Sequence, residues 1–291
     1  MPILTQGPDP HPKAPRLRTP PGACDTHIHL FGPAAKYPFA PDSPYTSHDA
    51  LPETFIALQE KLGLSRAVIV SPGGYGRNYQ LLADTLARFP DRFRGIALVP
   101  EDIADEEIER LGKLGVRGAR FFPTDRGGSA PTLSETLSAK IHAHGWHLQF
   151  FPHGGDITEL APRLLAQPNI IVLDHFASVK AELGLDQPGF KTLLKMLDTG
   201  RVWIKLSGPM RCAQGDWPYA AVATMARALV KHAPQRLVWG TDWPHVNLEG
   251  RGMPNDGDLV DLIPEWIIDE ADRRRILVDN PRALYGFPSV A

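Results

Sequence analysis

Two histidines two residues apart, His27 and His29, lie in a short apolar run at 23–30, bounded by Pro21-Gly22 and Gly32-Pro33. If that run is a β-strand, alternate residues share a face and both imidazoles enter one pocket. A lone His-x-His is a weak signal, and its weight here comes from two later runs. Leu173-Asp174-His175 ends one, and Trp239-Gly240-Thr241-Asp242-Trp243-Pro244-His245 ends the other. His27, His29, His175 and Asp242 at strand ends suit two chemistries. They can hold a single divalent cation such as zinc, with an open position for water. They can also work without metal, the imidazoles donating to a substrate oxygen while the aspartate takes a proton from water.

Bringing these groups together requires parallel strands whose ends meet. From residue 53 the pattern alternates: helix 53–62, strand 66–70, helix 81–88, strand 95–99, helix 105–114, strand 117–122, helix 133–144 and strand 147–151. It continues with helix 157–165, strand 170–173, helix 190–197, strand 202–206, helix 219–232, strand 237–240 and a closing helical region at 264–284. With the opening strand this makes about eight β/α units, the pattern of a closed (β/α)8 TIM barrel; a doubly wound open sheet is the alternative. In a barrel, reactive groups project from the C-terminal strand ends, and closure sets Asp242 beside the first strand.

Residues 1–22 carry Pro8, Pro10, Pro12, Pro15, Pro20 and Pro21, which forbid a regular helix and predict an extended arm ahead of a barrel domain at 23–291. The stretch 32–52 interleaves Pro33, Pro38, Pro41 and Pro44 with Tyr37, Phe39 and Tyr45, and reads as a long loop walling the pocket. The glycine-rich turn at 71–76 lacks the Lys-Ser/Thr of a P-loop and the spacing of a dinucleotide fingerprint.

A net charge of -2, with basic residues scattered, offers no stripe for nucleic acid or an anionic membrane, so neither partner is expected. Cys24 and Cys212 are too few for a disulfide framework, and no apolar stretch reaches the roughly 20 residues of a spanning helix. The expectation is a soluble cytoplasmic protein, monomer or homo-oligomer, acting on a small molecule.

The motifs Asp25-Thr26-His27-Ile28-His29 with Phe31-Gly32-Pro33, Asp174-His175, the segment 239–245 and Val278-Asp279-Asn280-Pro281 together resemble the amidohydrolase superfamily. The likeness runs from about Pro21 to Phe287. It is similar to the branch containing 2-pyrone-4,6-dicarboxylate lactonase and D-galactarolactone isomerase. The resemblance implies a barrel in which His27, His29 and His175 polarise a lactone carbonyl and Asp242 activates the attacking water. In the pyrone lactonase this proceeds without bound metal, whereas other superfamily members hold zinc or manganese with the same residue types. No lysine ends the strands at 117–122 or 147–151, which argues against a carbamylated-lysine binuclear site, so one metal at most is expected.

By position, the resemblance carries carboxylate anchoring onto Tyr45, Arg120 and Arg211, with Arg126 as a looser match; a planar guanidinium suits that task. His153 and Ser207 are further candidate polar contacts. His245 is expected to support Asp242, and Trp239 and Trp243 to line the pocket. Two departures from the family pattern stand out. The segment after His175 reads Phe176-Ala177-Ser178 where an arginine is expected, and Phe151 replaces a tyrosine. A lactone other than the pyrone dicarboxylate is the implied substrate, drawn from carboxylated aromatic- or sugar-acid catabolites. Hydrolysis is the leading reaction, followed by lactone isomerisation and then metal-dependent decarboxylation; a non-enzymatic binding barrel leaves four reactive side chains at strand ends unexplained.

Overall fold

A parallel sheet flanked by helices needs strands apolar on both faces, and the strand runs of this chain have that character. In the computed structural model, which describes residues 2–122, 133–152, 156–215, 217–248 and 250–289, nearly all their residues are buried. The strands are β1 (Cys24–Ile28), β2 (Arg66–Val70), β3 (Phe93–Ala97), β4 (Val116–Phe121), β5 (His147–Phe150), β6 (Ile171–Leu173), β7 (Val202–Ser207) and β8 (Leu237–Gly240). Each pairs in parallel with the next. Between β8 and β1, Thr26 Oγ1 donates to the Trp239 carbonyl at 2.8 Å. Just beyond, Asp242 N donates to the His27 carbonyl at 2.9 Å and His29 N to the Trp243 carbonyl at 2.7 Å. These bonds close the sheet into a (β/α)8 TIM barrel, and the open-sheet alternative falls.

The connecting helices are α1 (Pro52–Lys61), α2 (Gln80–Arg88), α3 (Asp105–Leu114), α4 (Glu135–Ala143), α5 (Ile157–Leu165), α6 (Pro188–Asp198) and α7 (Ala220–His232). Their ends follow local chemistry. α4 begins after Ser134, whose side chain accepts from Leu137 N at 3.1 Å, so Leu133 and Ser134 fall outside the helix expected at 133–144. The third strand starts at Phe93 rather than Gly95. Gly95 sits mid-strand because α2 packs on it: a Cβ there would stand 2.8 Å from Leu86 Cδ1. The helical region expected at 264–284 is divided among Ile263–Trp266, Glu270–Arg274, a π-turn at Arg275–Asp279 and Asn280–Tyr285. No helix among the described residues is long and apolar enough to cross a membrane.

The proline-rich N-terminal segment lies along the barrel. Ile3–Leu4 pairs in parallel with Tyr45–Thr46 of the long loop. Further on, Lys13 N donates to Asn255 Oδ1, and Asp261 accepts from Arg16 N, Arg16 Nε and Leu17 N at 2.8–3.0 Å. The loop itself is fastened over the rim by rings. Phe31, Phe39 and Tyr75 stack with centroids 5.1–6.0 Å apart, and the Tyr75 and Tyr45 hydroxyls accept from Gly32 N and Gly74 N.

His147 opens β5 and meets Tyr285 edge-on at 5.4 Å. Burial pushes its pKa down to about 3, so the folded chain refuses a proton that the unfolded chain accepts near 6.5. Stability present above pH 6.5 is therefore lost progressively as pH falls from 6.5 toward 3. Chemical denaturation as a function of pH should show a shallower acid loss in His147→Gln than in wild type; parallel curves would count against this assignment. Separately, Asp261→Ala should lower stability by about 1–2 kcal/mol and open residues 1–22 to limited proteolysis while the barrel stays intact. An arm as protease-resistant as before would refute its anchoring by Asp261.

Candidate active site

The strand ends deliver the reactive side chains to one rim. His27 lies within β1, where the register to β2 shifts between Asp25 and Ile28, and His29 follows just beyond the strand. Asp174 and His175 follow β6, Ser207 ends β7, and Asp242 follows β8. His175, Phe176, Ala177 and Ser178 all have φ of 50–58°, and Asp242 and His245 have φ of 74° and 64°. Such left-handed conformations are costly outside glycine, and they concentrate here at the turns that aim His175 and Asp242.

The resulting geometry is a carboxylate oxygen ringed by imidazoles. Asp242 Oδ1 lies 3.6 Å from Nε2 of each of His27, His29 and His175. Behind each ring the other nitrogen is engaged. His29 Nδ1 is 2.7 Å from the Val70 carbonyl, so that nitrogen carries the proton and Nε2 is an acceptor. His175 Nδ1 meets Ser207 Oγ at 2.9 Å. His27 Nδ1 faces Asp174 Oδ1 at 3.2 Å and the Lys205 ammonium at 3.4 Å. The second oxygen of Asp242 accepts from Arg211 Nε at 2.6 Å, and Arg211 Nη2 donates to the Val246 carbonyl.

Burial governs the charges. It pushes all three imidazoles below their ordinary pKa, His175 to about 3, so they are neutral near pH 7. Burial alone would protonate Asp242, but the neighbouring charge, Arg211 foremost, outweighs it and holds the carboxyl well below the usual range. Asp174 behaves likewise, its burial overcome by His27, Lys205 and Arg120. Lys205, with no solvent exposure, is lowered to about 8 by burial, against the pull of Asp174. Burial raises Asp25 to about 7 even though it accepts from His27 N, Thr241 N and Thr241 Oγ1.

A divalent cation fits this donor set. His27 Nε2 and Asp242 Oδ1 are buried without a hydrogen-bond partner among the described residues, and ligand atoms of His27, His175 and Asp242 lie within 4.8 Å of one another. Neutral imidazoles with one ionised carboxylate are the ligand types zinc takes. The same two orphaned atoms can instead face water or substrate.

The expected site residues are distributed as follows. Tyr45, within the long loop, is buried, and its hydroxyl accepts from Gly74 N. Arg120 is turned inward, with Nη2 3.2 Å from Asp174 Oδ2 and Nη1 donating to the Ser71 carbonyl. Ser207 stands behind His175 rather than in the opening, and Arg211 hydrogen-bonds Asp242. Arg126 and His153 lie outside the described residues. His245 braces the turn: its N donates to the Asp242 carbonyl, and its ring is 3.0 Å from Asp256 Oδ1. Lys205, not among the residues expected at the site, donates to the Thr26 carbonyl at 2.8 Å and lies 3.6 Å from Asp174. Its signal was available: in Val202–Ser207, Trp203, Lys205 and Ser207 share one strand face, so a lysine there must point into the barrel.

Fold and rim together define a β/α-barrel enzyme of the histidine–carboxylate type. The chain belongs to the amidohydrolase family, whose signature spans residues 24–287. A 4-sulfomuconolactone hydrolase of Hydrogenophaga intermedia is 36% identical, over 96% of this chain and 94% of its own length. A 2-pyrone-4,6-dicarboxylate hydrolase of Comamonas testosteroni is 35% identical, over 94% and 93%. A D-galactarolactone isomerase of Agrobacterium fabrum is 33% identical, over 95% of each chain. A crystal structure of an Agrobacterium tumefaciens protein aligns with a TM-score of 0.83 at 30% identity, covering 95% of this chain and 100% of that one.

Removing Lys205 leaves Asp174 buried beside fewer cations, and breaking such a set is costly. Lys205→Met should lose about 3–5 kcal/mol in chemical denaturation; a loss under about 1 kcal/mol, the scale of a surface pair, would show that the ammonium is not part of the barrel's charge balance.

Proposed function

We propose that this protein is a hydrolase that opens a lactone of a carboxylated aromatic- or sugar-acid catabolite. The observation that carries the reading is the ionised Asp242 oxygen held 3.6 Å from three neutral imidazole nitrogens. The names of the sulfomuconolactone and pyrone-dicarboxylate relatives support a cyclic ester as substrate.

In this reading a water sits against Asp242 Oδ1 and His29 Nε2, both acceptors, which orients its lone pair toward the lactone carbon. Asp242 takes the proton as the carbon–oxygen bond forms. His29 cannot also polarise the carbonyl while Val70 holds its proton on Nδ1. That task falls to His27 and His175, which have Lys205 and Ser207 behind their Nδ1 atoms as donors, so that their Nε2–H groups point at the developing oxyanion. Collapse breaks the ring carbon–oxygen bond, and the leaving oxygen recovers the proton from Asp242. Arg211 and Tyr45 anchor substrate. Arg120 and Ser207 act behind the imidazoles, Arg120 through Asp174.

The opposite tautomer, with His27 donating Nδ1–H to Asp174, turns lone pairs to the centre and is the form suited to a cation. His27, His175 and Asp242 would hold it, with His29 Nε2 facing the same oxygen, and it would supply Lewis-acid polarisation and a more acidic water.

The 33% identity to a lactone isomerase favours a second reading, an internal acyl shift in a sugar-acid lactone. Assay of a lactone panel in ¹⁸O-labelled water, with chelator-treated and zinc-loaded protein side by side, separates these possibilities. Hydrolysis releases acid and places one label in the carboxylate; isomerisation places none. Asp242→Asn should reduce kcat by about 10²–10⁴. An unchanged rate in that variant, or no acid released from any lactone, would overturn the hydrolase reading.

A further inference from the structure

The end of the barrel opposite the catalytic rim carries charge that the reaction does not use. Arg66 opens β2, Arg94 is the second residue of β3 and Arg117 the second of β4, so three neighbouring strands each bring an arginine to the N-terminal end. All three gather on the turn that follows the last helix. The Phe287 ring centre lies 5.3 Å from the Arg66 guanidinium and 4.7 Å from that of Arg94. Arg66 Nη2 donates to the Pro288 carbonyl at 2.6 Å, and Arg94 Nη2 to the Gly286 carbonyl at 3.2 Å. A Cβ added at Gly286 would stand 3.3 Å from Arg117 Nε, which sets the third guanidinium against the same turn.

Among the described residues no carboxylate lies within ion-pair distance of this cluster, and Asp91 acts on Arg94 only from further off. The other hydrogen bonds of Arg94 go to the Pro90 and Phe93 carbonyls, and those of Arg117 to the Gly112 and Val116 carbonyls. Carbonyls satisfy donors but bring no net charge. Arg66 is 8% exposed and Arg94 9%, and Arg66 Nη1 and Arg94 Nε are buried without a partner among the described residues. Burial, with Arg117 and Arg66 beside it, pushes the Arg94 pKa down. A guanidinium keeps its proton near pH 7 all the same, so buried cations left this close together call for a counter-anion. Arg117 is only half-buried and lines a surface cavity of about 440 Å³ with Lys113, His144 and Glu109, so a small solute has access to this end.

We propose that Arg66, Arg94 and Arg117 form a binding site for a small inorganic oxyanion of the phosphate type, which bridges neighbouring strands and fastens the C-terminal turn to the barrel floor. Its several acceptor oxygens suit the planar forks of the guanidiniums and give the orphaned Nη1 and Nε their partners. The site is independent of the lactone reading, because no side chain of the catalytic rim belongs to it. Its ligand acts on the hold of residues 284–289, not on the chemistry.

Calorimetric titration of the full chain with orthophosphate, and in parallel with chloride, at constant ionic strength reads this directly. Phosphate should bind saturably and at least about tenfold more tightly than chloride, the scale of one further charge-assisted contact. Arg94→Met should weaken phosphate by at least about tenfold. Arg117→Met, at the more exposed member of the cluster, should weaken it too and serves where Arg94→Met does not fold. Arg211→Met removes a cation from the catalytic rim and should leave phosphate binding unchanged. Hydrogen exchange read by mass spectrometry locates the ligand: phosphate should slow exchange at 284–289 and leave 242–248 as it was. Absence of saturable binding at millimolar phosphate would overturn the site. So would a response equal to that of chloride, which is ionic screening alone. Binding lost in Arg211→Met but kept in the floor variants, or protection confined to 242–248, would place the anion at the rim and refute the assignment.

Discussion

The constraint on which the structure turns is the contact between the last barrel strand and the first. Asp242 N donates to the His27 carbonyl at 2.9 Å, so the backbone that closes the barrel is the backbone that sets the carboxylate among the imidazoles. Fold closure and site assembly are one event. A residue more than two hundred positions from His27 reaches it through the register of two adjacent strands, with no flexible loop between them, and the catalytic distances inherit the rigidity of the sheet.

Such a site carries a large electrostatic load. Asp174, Asp242 and Lys205 have no solvent exposure and Arg120 only 3%. Unpaired, each charge would be prohibitive to bury. They are tolerable because they interlock: Lys205 and Arg120 face Asp174, Arg211 grips Asp242, and the imidazoles between them stay neutral. The consequence is chemical. A carboxylate kept ionised in a buried pocket, with an oxygen lacking a hydrogen-bond donor among the described residues, is primed to accept a proton from whatever water or substrate enters.

The turns after β6 and β8 store strain for the same purpose. Four successive left-handed residues at 175–178 have no glycine to ease them, and each such residue costs on the order of 1 kcal/mol. They persist because surrounding bonds over-determine them. Cys212 Sγ reaches the His175 carbonyl, Ser207 holds the His175 ring, and His245 ties the Asp242 turn to Asp256.

The sequence by itself determined the alternation of strands and helices and the residues that could react, because burial on both faces and the period of each element are written locally in residue type. His27, His29, His175 and Asp242 were legible as a set because each lies at or just past the C-terminal end of a strand. Local pattern could not decide what stands behind those residues. Arg120 read as a ligand for substrate, yet its guanidinium is turned to Asp174, and Ser207 faces a histidine ring rather than the opening. Lys205 was readable as an inward lysine, but its partners lie on β1 and beyond β6, far apart in the chain. Only the closed barrel decides which charges neutralise one another, because that depends on distances across its interior, and no linear spacing encodes them.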